Sequence, residues 1–148
     1  MSTEQTASAA GTILLVDDRP ENLQLLRDAL VPQGHRILVA TSGPAALRVA
    51  AGKEPDLILL DIVMPEMDGL SLLRIIKEKW PDVLRLVLTG YTQVPQILAT
   101  INSGEVYRYL TKPLGQSAEL VVTLRQALEY QNLRRDRVGL VQQLEKHN

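Results

Sequence analysis

Residues 56–60 read DLILL, one acidic residue followed by four aliphatic ones with nothing polar between them. A strand with one face in water alternates apolar and polar side chains. A strand without alternation is covered on both faces, which is the condition of a central strand in a parallel sheet. So this stretch predicts a sheet with helices packed on either side.

The rest of the chain repeats the alternation that such a sheet needs. TILLV (12–16) reads as a first strand. A helix follows, with Pro20 tolerated in its first turn and Leu23, Leu25, Leu26, Ala29 and Leu30 as its apolar face; VPQGH ends it. RILVA (36–40) is a second strand. Ser42 then caps a helix with Pro44 near its start and Gly52 at its end. Gly69 to Trp80 reads as a helix through Leu70, Leu73, Ile76 and Lys77, stopped by Pro81. LRLVL (84–88) is a fourth strand, VPQILATINS (94–103) a short helix closed by Gly104, and VYRYL (106–110) a fifth strand. From Ser117 onward the chain reads as one long helix. Five strand-then-helix units predict an α/β fold with a doubly wound, five-stranded parallel sheet. Six-stranded dinucleotide-binding sheets usually need a longer chain, so the flavodoxin-like order 2-1-3-4-5 is favoured, with helices on both faces.

Composition narrows the function. A length of 148 residues suits one domain. Aromatic residues make up 3% and Phe is absent, so the core has to be aliphatic. The net charge of -1 gives no support to direct nucleic-acid binding. Cys is absent, which excludes disulfides and thiolate metal sites, and His35 and His147 are too far apart in sequence to form a zinc-type cluster. The first residues, MSTEQTASAAG, lack the basic and apolar segments of a signal peptide. No apolar run approaches the ~18 residues of a membrane span. The expectation is a soluble cytoplasmic protein that does not engage membranes, with a disordered lead-in over 1–11.

In doubly wound sheets, ligands bind outside the C-terminal ends of the strands. Asp17 and Asp18 follow the first strand here, Asp61 the third, Thr89 the fourth and Lys112 the fifth. Taken one at a time these residues have bland roles: Asp18 as a helix N-cap, Asp61 as a turn residue, Thr89 and Lys112 as loop residues. Brought to one rim, they are three carboxylates, a hydroxyl and an ammonium. Three carboxylates form a hard oxygen site suited to Mg2+, which would relieve their mutual repulsion. A carboxylate beside a divalent cation can act as nucleophile toward a phosphoryl group. The hydroxyl and the ammonium could then bind the remaining phosphoryl oxygens.

VDD at the first strand, DIVMPEMDG at the third, LTG at the fourth and YLTKP at the fifth resemble the receiver domain of two-component response regulators. The resemblance covers roughly residues 12 to 130. It implies that Asp61 is the phosphoacceptor for a sensor histidine kinase or phosphotransfer protein. It implies Asp18 as a direct Mg2+ ligand, Asp17 as its acidic neighbour acting through water, and Val63 as a ligand by its backbone carbonyl. Thr89 would be the switch hydroxyl, Lys112 the ammonium that pairs with the phosphoryl group, and Tyr109 the aromatic that swings inward with Thr89. The bond before Pro113 is expected to be cis. Such a domain catalyses only its own phosphoryl transfer and slow autodephosphorylation. Its readout would be the face made by the 94–103 helix, the fifth strand and the last helix, and that face or the C-terminal helix could join two copies of the chain as a homodimer.

Departures from the pattern carry information. Arg19 stands where many relatives have an acid, and Gly90 where Ala is common. Val63 and Tyr91 flank the acceptor where fast-dephosphorylating relatives carry polar side chains, so a long-lived aspartyl-phosphate is expected. A flavin carrier is disfavoured because DDRPEN puts acid where a phosphate would bind. An aspartate-nucleophile phosphatase would want a second acid at position 63, which is Val63. The alternative is a receiver-fold interaction module that signals without phosphorylation.

The last helix carries Leu120, Val121, Leu124, Ala127 and Leu128 as a face for the sheet. Residues 131–148 read as an extension, either a fraying helix end weakened by Gly139 or an amphipathic linker toward an effector or a second copy of the chain. INSGEVYRYLTKPL is similar to receivers that precede HD-type phosphohydrolase or ATPase-activator domains, so an attached or partner output of that kind is expected.

Overall fold

The computed structural model describes residues 11–61, 69–89, 106–111 and 117–147. Five strands, β1 (Thr12–Val16), β2 (Arg36–Ala40), β3 (Leu57–Asp61), β4 (Leu84–Thr89) and β5 (Arg108–Thr111), form one sheet in the order β2-β1-β3-β4-β5. Every neighbouring pair is parallel. The order expected from the sequence is the order found. The direction of winding reverses between β1 and β3, so the groove above those two strands is where a ligand is expected.

β3 is LILLD rather than DLILL: all five of its residues are buried, as the unbroken aliphatic run required, while Asp56 lies just outside it and is half-buried. The physical reason is visible in how the strand residues divide. Leu14, Val16, Ile58, Leu60 and Val87 pack on one face of the sheet with Ala46, Ala50, Leu72, Leu73 and Ile76. These last five belong to helices α2 (Gly43–Lys53) and α3 (Gly69–Lys79). Ile13, Leu15, Leu57, Leu59 and Leu86 pack on the other face against α1 (Pro20–Leu30) and the long C-terminal helix α4 (Ser117–His147). Each fully buried Leu or Ile contributes about 1.5–3 kcal/mol, so the two aliphatic layers supply most of the driving force without Phe.

Local chemistry sets the helix ends. α1 opens on Pro20, whose missing N–H costs nothing in a first turn. It buries Leu23, Leu26 and Leu30. Leu25, assigned above to the same face, is 69% exposed because it lies on the opposite side of the helix from the Leu23–Leu26–Leu30 stripe. A short 3-10 turn, Val31–Gln33, follows, and Gly34 takes the left-handed conformation (φ 91°) that lets the chain turn into β2. Ser42 caps α2 as expected, its Oγ accepting the Ala45 N–H at 3.2 Å. Gly52 does not end α2; the helix runs one residue further, and Glu54 closes it at φ 46°.

At the N-terminal edge of the sheet, Gly11 donates no side chain for a reason. A Cβ there would sit 2.7 Å from Leu128 Cδ2 and 2.8 Å from Asp56 Oδ2. Its carbonyl accepts the Arg36 N–H at 2.9 Å, and Asp56 Oδ2 accepts the Thr12 N–H at 2.7 Å. α4 runs unbroken across residue 130 and through Gly139 to His147. No helix among the described residues is long and apolar enough to cross a membrane.

Candidate functional site

Three strands deliver carboxylates or a hydroxyl to one rim. Asp17 follows β1, and its N–H donates to Ala40 O at 3.2 Å, extending the β1–β2 ladder by one rung. Its side chain then turns the backbone into α1: Oδ1 accepts the Arg19 N–H at 2.9 Å, and Oδ2 accepts Asn22 Nδ2 at 3.3 Å. Asp17 is 1% exposed, and these N–H donors offset the cost of burying its charge. Asp18 is half-buried. It is not the cap of α1; the residue in that position is Arg19, which makes no side-chain capping bond.

Asp61 and Thr89 are the last residues of β3 and β4 rather than the first residues of loops. Asp61 lies opposite Leu88 in the ladder, so Thr89 stands one residue further along the neighbouring strand. Both are buried. Being held by the ladder, their backbones are more fixed than a loop would make them. Tyr109, on β5 opposite Val87, is half-buried against the α2–α3 core layer.

Asp17, Asp18 and Asp61 each offer a carboxylate oxygen, and these oxygens lie within 4.8 Å of one another. Across an octahedral Mg2+ with bonds near 2.1 Å, opposite ligands are about 4.2 Å apart. The cluster is therefore of a size to hold one such ion. At this separation, two like charges repel by roughly 3–4 kcal/mol at an effective dielectric of 20, which a divalent cation would offset. The donor set, all carboxylate oxygen, fits Mg2+.

Val63, Gly90, Tyr91, Lys112 and Pro113, and the helix read over 94–103, lie outside the described residues. Two further polar residues have roles in the structure. Asn22 holds Asp17. Gln131, fully buried, bonds across the opposite edge of the sheet. The second had a signal, since 131 continues the helical spacing of Leu120, Leu124, Ala127 and Leu128.

Comparison with known proteins agrees with this geometry. The family model for the response regulator receiver domain matches residues 13–125. The hydrogenase transcriptional regulatory protein HoxA of Cupriavidus necator is 34% identical over 125 residues, which are 84% of this chain and 26% of that protein. This chain thus spans about a quarter of the length of such curated relatives. Among solved structures, the signal receiver domain of an HD domain-containing protein from Pseudomonas fluorescens Pf-5 superposes with a TM-score of 0.78. It shares 40% identity, with 85% of this chain and 92% of that one covered. An adenylate cyclase structure from Rhodopirellula baltica has a TM-score of 0.83 at 27% identity, covering 88% of this chain and 96% of that one. Fold, acidic rim and sequence together define a CheY-like receiver. The chain belongs to the response regulator receiver domain family of two-component signalling.

Proposed function

We propose that this chain is a phosphoacceptor switch in which Asp61 takes a phosphoryl group from the phosphohistidine of a sensor histidine kinase or phosphotransfer protein. The observation that carries this reading is the convergence of Asp17, Asp18 and Asp61 on one rim, with buried Thr89 on the next strand. An Asp61 carboxylate oxygen bonds to phosphorus as the P–N bond of the phosphohistidine breaks. The imidazole leaves with the bonding pair and departs neutral, because the other ring nitrogen of the phosphohistidine carries a proton as the bond breaks. Mg2+, held by Asp17, Asp18, Asp61 and the Val63 carbonyl, would neutralise charge on the phosphoryl oxygens. Asp18 would hold it directly and Asp17 through water, a role supported by the Arg19 and Asn22 N–H donors on Asp17.

The Thr89 hydroxyl and the Lys112 ammonium bind the phosphoryl oxygens of phospho-Asp61 from one arrangement only, and Tyr109 moves inward with Thr89. The added charge thereby selects one of two states. The face formed by residues 94–103, β5 and α4 reads out the change. Residues 12–130 serve as the receiver, and 131–148 as a helical arm toward an effector or a second copy of the chain. The identity with the receiver of an HD domain-containing protein supports an HD-type phosphohydrolase as the attached or partner output. The chain turns over no external substrate beyond its own phosphorylation and slow dephosphorylation.

Acetyl phosphate with Mg2+ tests this directly. The wild-type chain should incorporate phosphate and Asp61→Asn should not. Unchanged incorporation in the variant would move the acceptor elsewhere. A wild-type chain that takes no label, yet still binds its partner, would favour the phosphorylation-independent module.

A further inference from the structure

Asn22 has no part in the switch just described, yet it touches the site. It lies half-buried in the first turn of α1, where its backbone N–H donates to Arg19 O at 3.1 Å. Its side-chain Nδ2 donates to Asp17 Oδ2 at 3.3 Å, while Arg19 N–H holds Asp17 Oδ1 at 2.9 Å. Among the interactions within the described residues, Oδ1 of Asp17 has a backbone donor and Oδ2 a side-chain donor. A carboxylate held at one oxygen can still rotate about its Cβ–Cγ bond. A second donor on the other oxygen fixes the plane, and the plane decides which lone pairs face Asp18 and Asp61.

The chemistry of the donor matters as much as its position. A Lys or Arg at 22 would also satisfy Asp17, but its charge would compete with a cation for three carboxylates. An amide supplies N–H and no charge. Asn is also a weaker helix former than Leu by a few tenths of a kcal/mol, so helix propensity does not account for its presence in this turn.

We propose that Asn22 is a positioning residue for the divalent-cation site, acting through Asp17 by setting the plane of its carboxylate. This rests on the reading of Asp17, Asp18 and Asp61 as a Mg2+ site. Hydrogen-bonding partners of metal ligands generally affect affinity by 10- to 100-fold, and a single amide on a water-mediated ligand belongs at the lower end.

The test uses the full chain and Mg2+ alone, followed by calorimetric titration. Asn22→Leu keeps the side-chain size and favours the helix while removing the donor. Its Mg2+ dissociation constant should rise about tenfold. The half-saturating Mg2+ concentration for acetyl phosphate labelling should rise with it, by more than the rate at saturating Mg2+ falls. A variant that folds and binds Mg2+ as the wild type does overturns the proposal, whatever happens to its melting temperature. If the Leu variant fails to fold, Asn22→Ala, read in the same titration, decides in the same way. Loss of Mg2+ binding in Asp18→Asn keeps the underlying site reading separate. If the wild type binds no Mg2+, or Asp18→Asn binds it unchanged, the site reading itself falls and this proposal with it.

Discussion

The side-chain nitrogen of Gln131 donates to the carbonyl oxygen of Asp56 at 2.9 Å, joining positions 75 residues apart in sequence. The same nitrogen donates to Asp82 O, which also accepts from Arg134 Nη2 at 2.8 Å. Asp56 immediately precedes β3, and Asp82 lies just before β4. Tyr107, before β5, stacks on Tyr130 of α4 with ring centroids 5.1 Å apart. α4 is thus tied to the N-terminal ends of the strands whose C-terminal ends carry Asp61 and Thr89.

Truncating Gln131 to Ala removes two buried hydrogen bonds and leaves a small cavity. Both carbonyls keep another donor, Leu84 N–H for Asp56 and Arg134 for Asp82. The expected loss is therefore moderate, about 2 kcal/mol by urea denaturation. Mg2+ affinity should not move, because the latch lies at the opposite edge of the sheet from the acidic rim.

The acidic rim should behave as a region of stored repulsion. Asp18→Asn removes one of three neighbouring carboxylates, and the metal-free protein should gain about 1–2 kcal/mol in stability. The rise in melting temperature that Mg2+ gives the wild type should disappear in the variant. A metal-free variant less stable than the wild type would show that Asp18 holds the fold rather than the cation.

His35 makes stability depend on pH. It is buried, its Nδ1 has no hydrogen-bond partner among the described residues, and burial lowers its pKa from 6.5. The unfolded chain therefore takes up a proton near 6.5 while the folded chain resists it. Stability is full above 6.5, falls as pH drops below it, and levels off once pH passes beneath the folded value. The slope cannot exceed about 1.4 kcal/mol per pH unit for one proton. Denaturation curves between pH 5 and 7.5 should flatten in His35→Leu.

If Asp61 is the phosphoacceptor, as proposed, its phosphate should be long-lived. On the proposed reading, positions 63 and 91 hold Val and Tyr where fast-dephosphorylating relatives carry polar side chains that would orient an attacking water. Purified phosphoprotein with Mg2+ should lose its label over many minutes, and the Val63→Asn, Tyr91→Glu double variant should lose it faster. Loss within seconds in the wild type would contradict this.

Much of the site was legible because it sits at the ends of apolar runs. TILLV, LILL and LRLVL declare buried strands, and a parallel connection sends all their C-terminal ends to one rim. Asp17, Asp61 and Thr89 follow from that alone. The ladder still decided how firmly they are held: Asp61 and Thr89 lie within β3 and β4 because neighbouring strands extend the pairing to them. Leu25 shows the limit from the apolar side, since a helix rich in Leu does not say which of them faces water.

By itself, then, the sequence determined the class of fold, the order of its elements and the chemistry of the rim. Hydrophobic periodicity, Pro and Gly punctuation and the Ser42 cap act over a few residues and can be read locally. Only the tertiary structure decided which polar residues work inside the protein. Asn22 looks, in sequence, like an ordinary solvent-facing position, and the helical spacing that puts Gln131 on the buried face does not say which carbonyls it reaches. The Asp56 partner of Gln131 lies 75 residues away and the Asp17 partner of Asn22 across the turn from β1 into α1, and a hydrogen bond is set by distance and direction in space, which sequence spacing does not record.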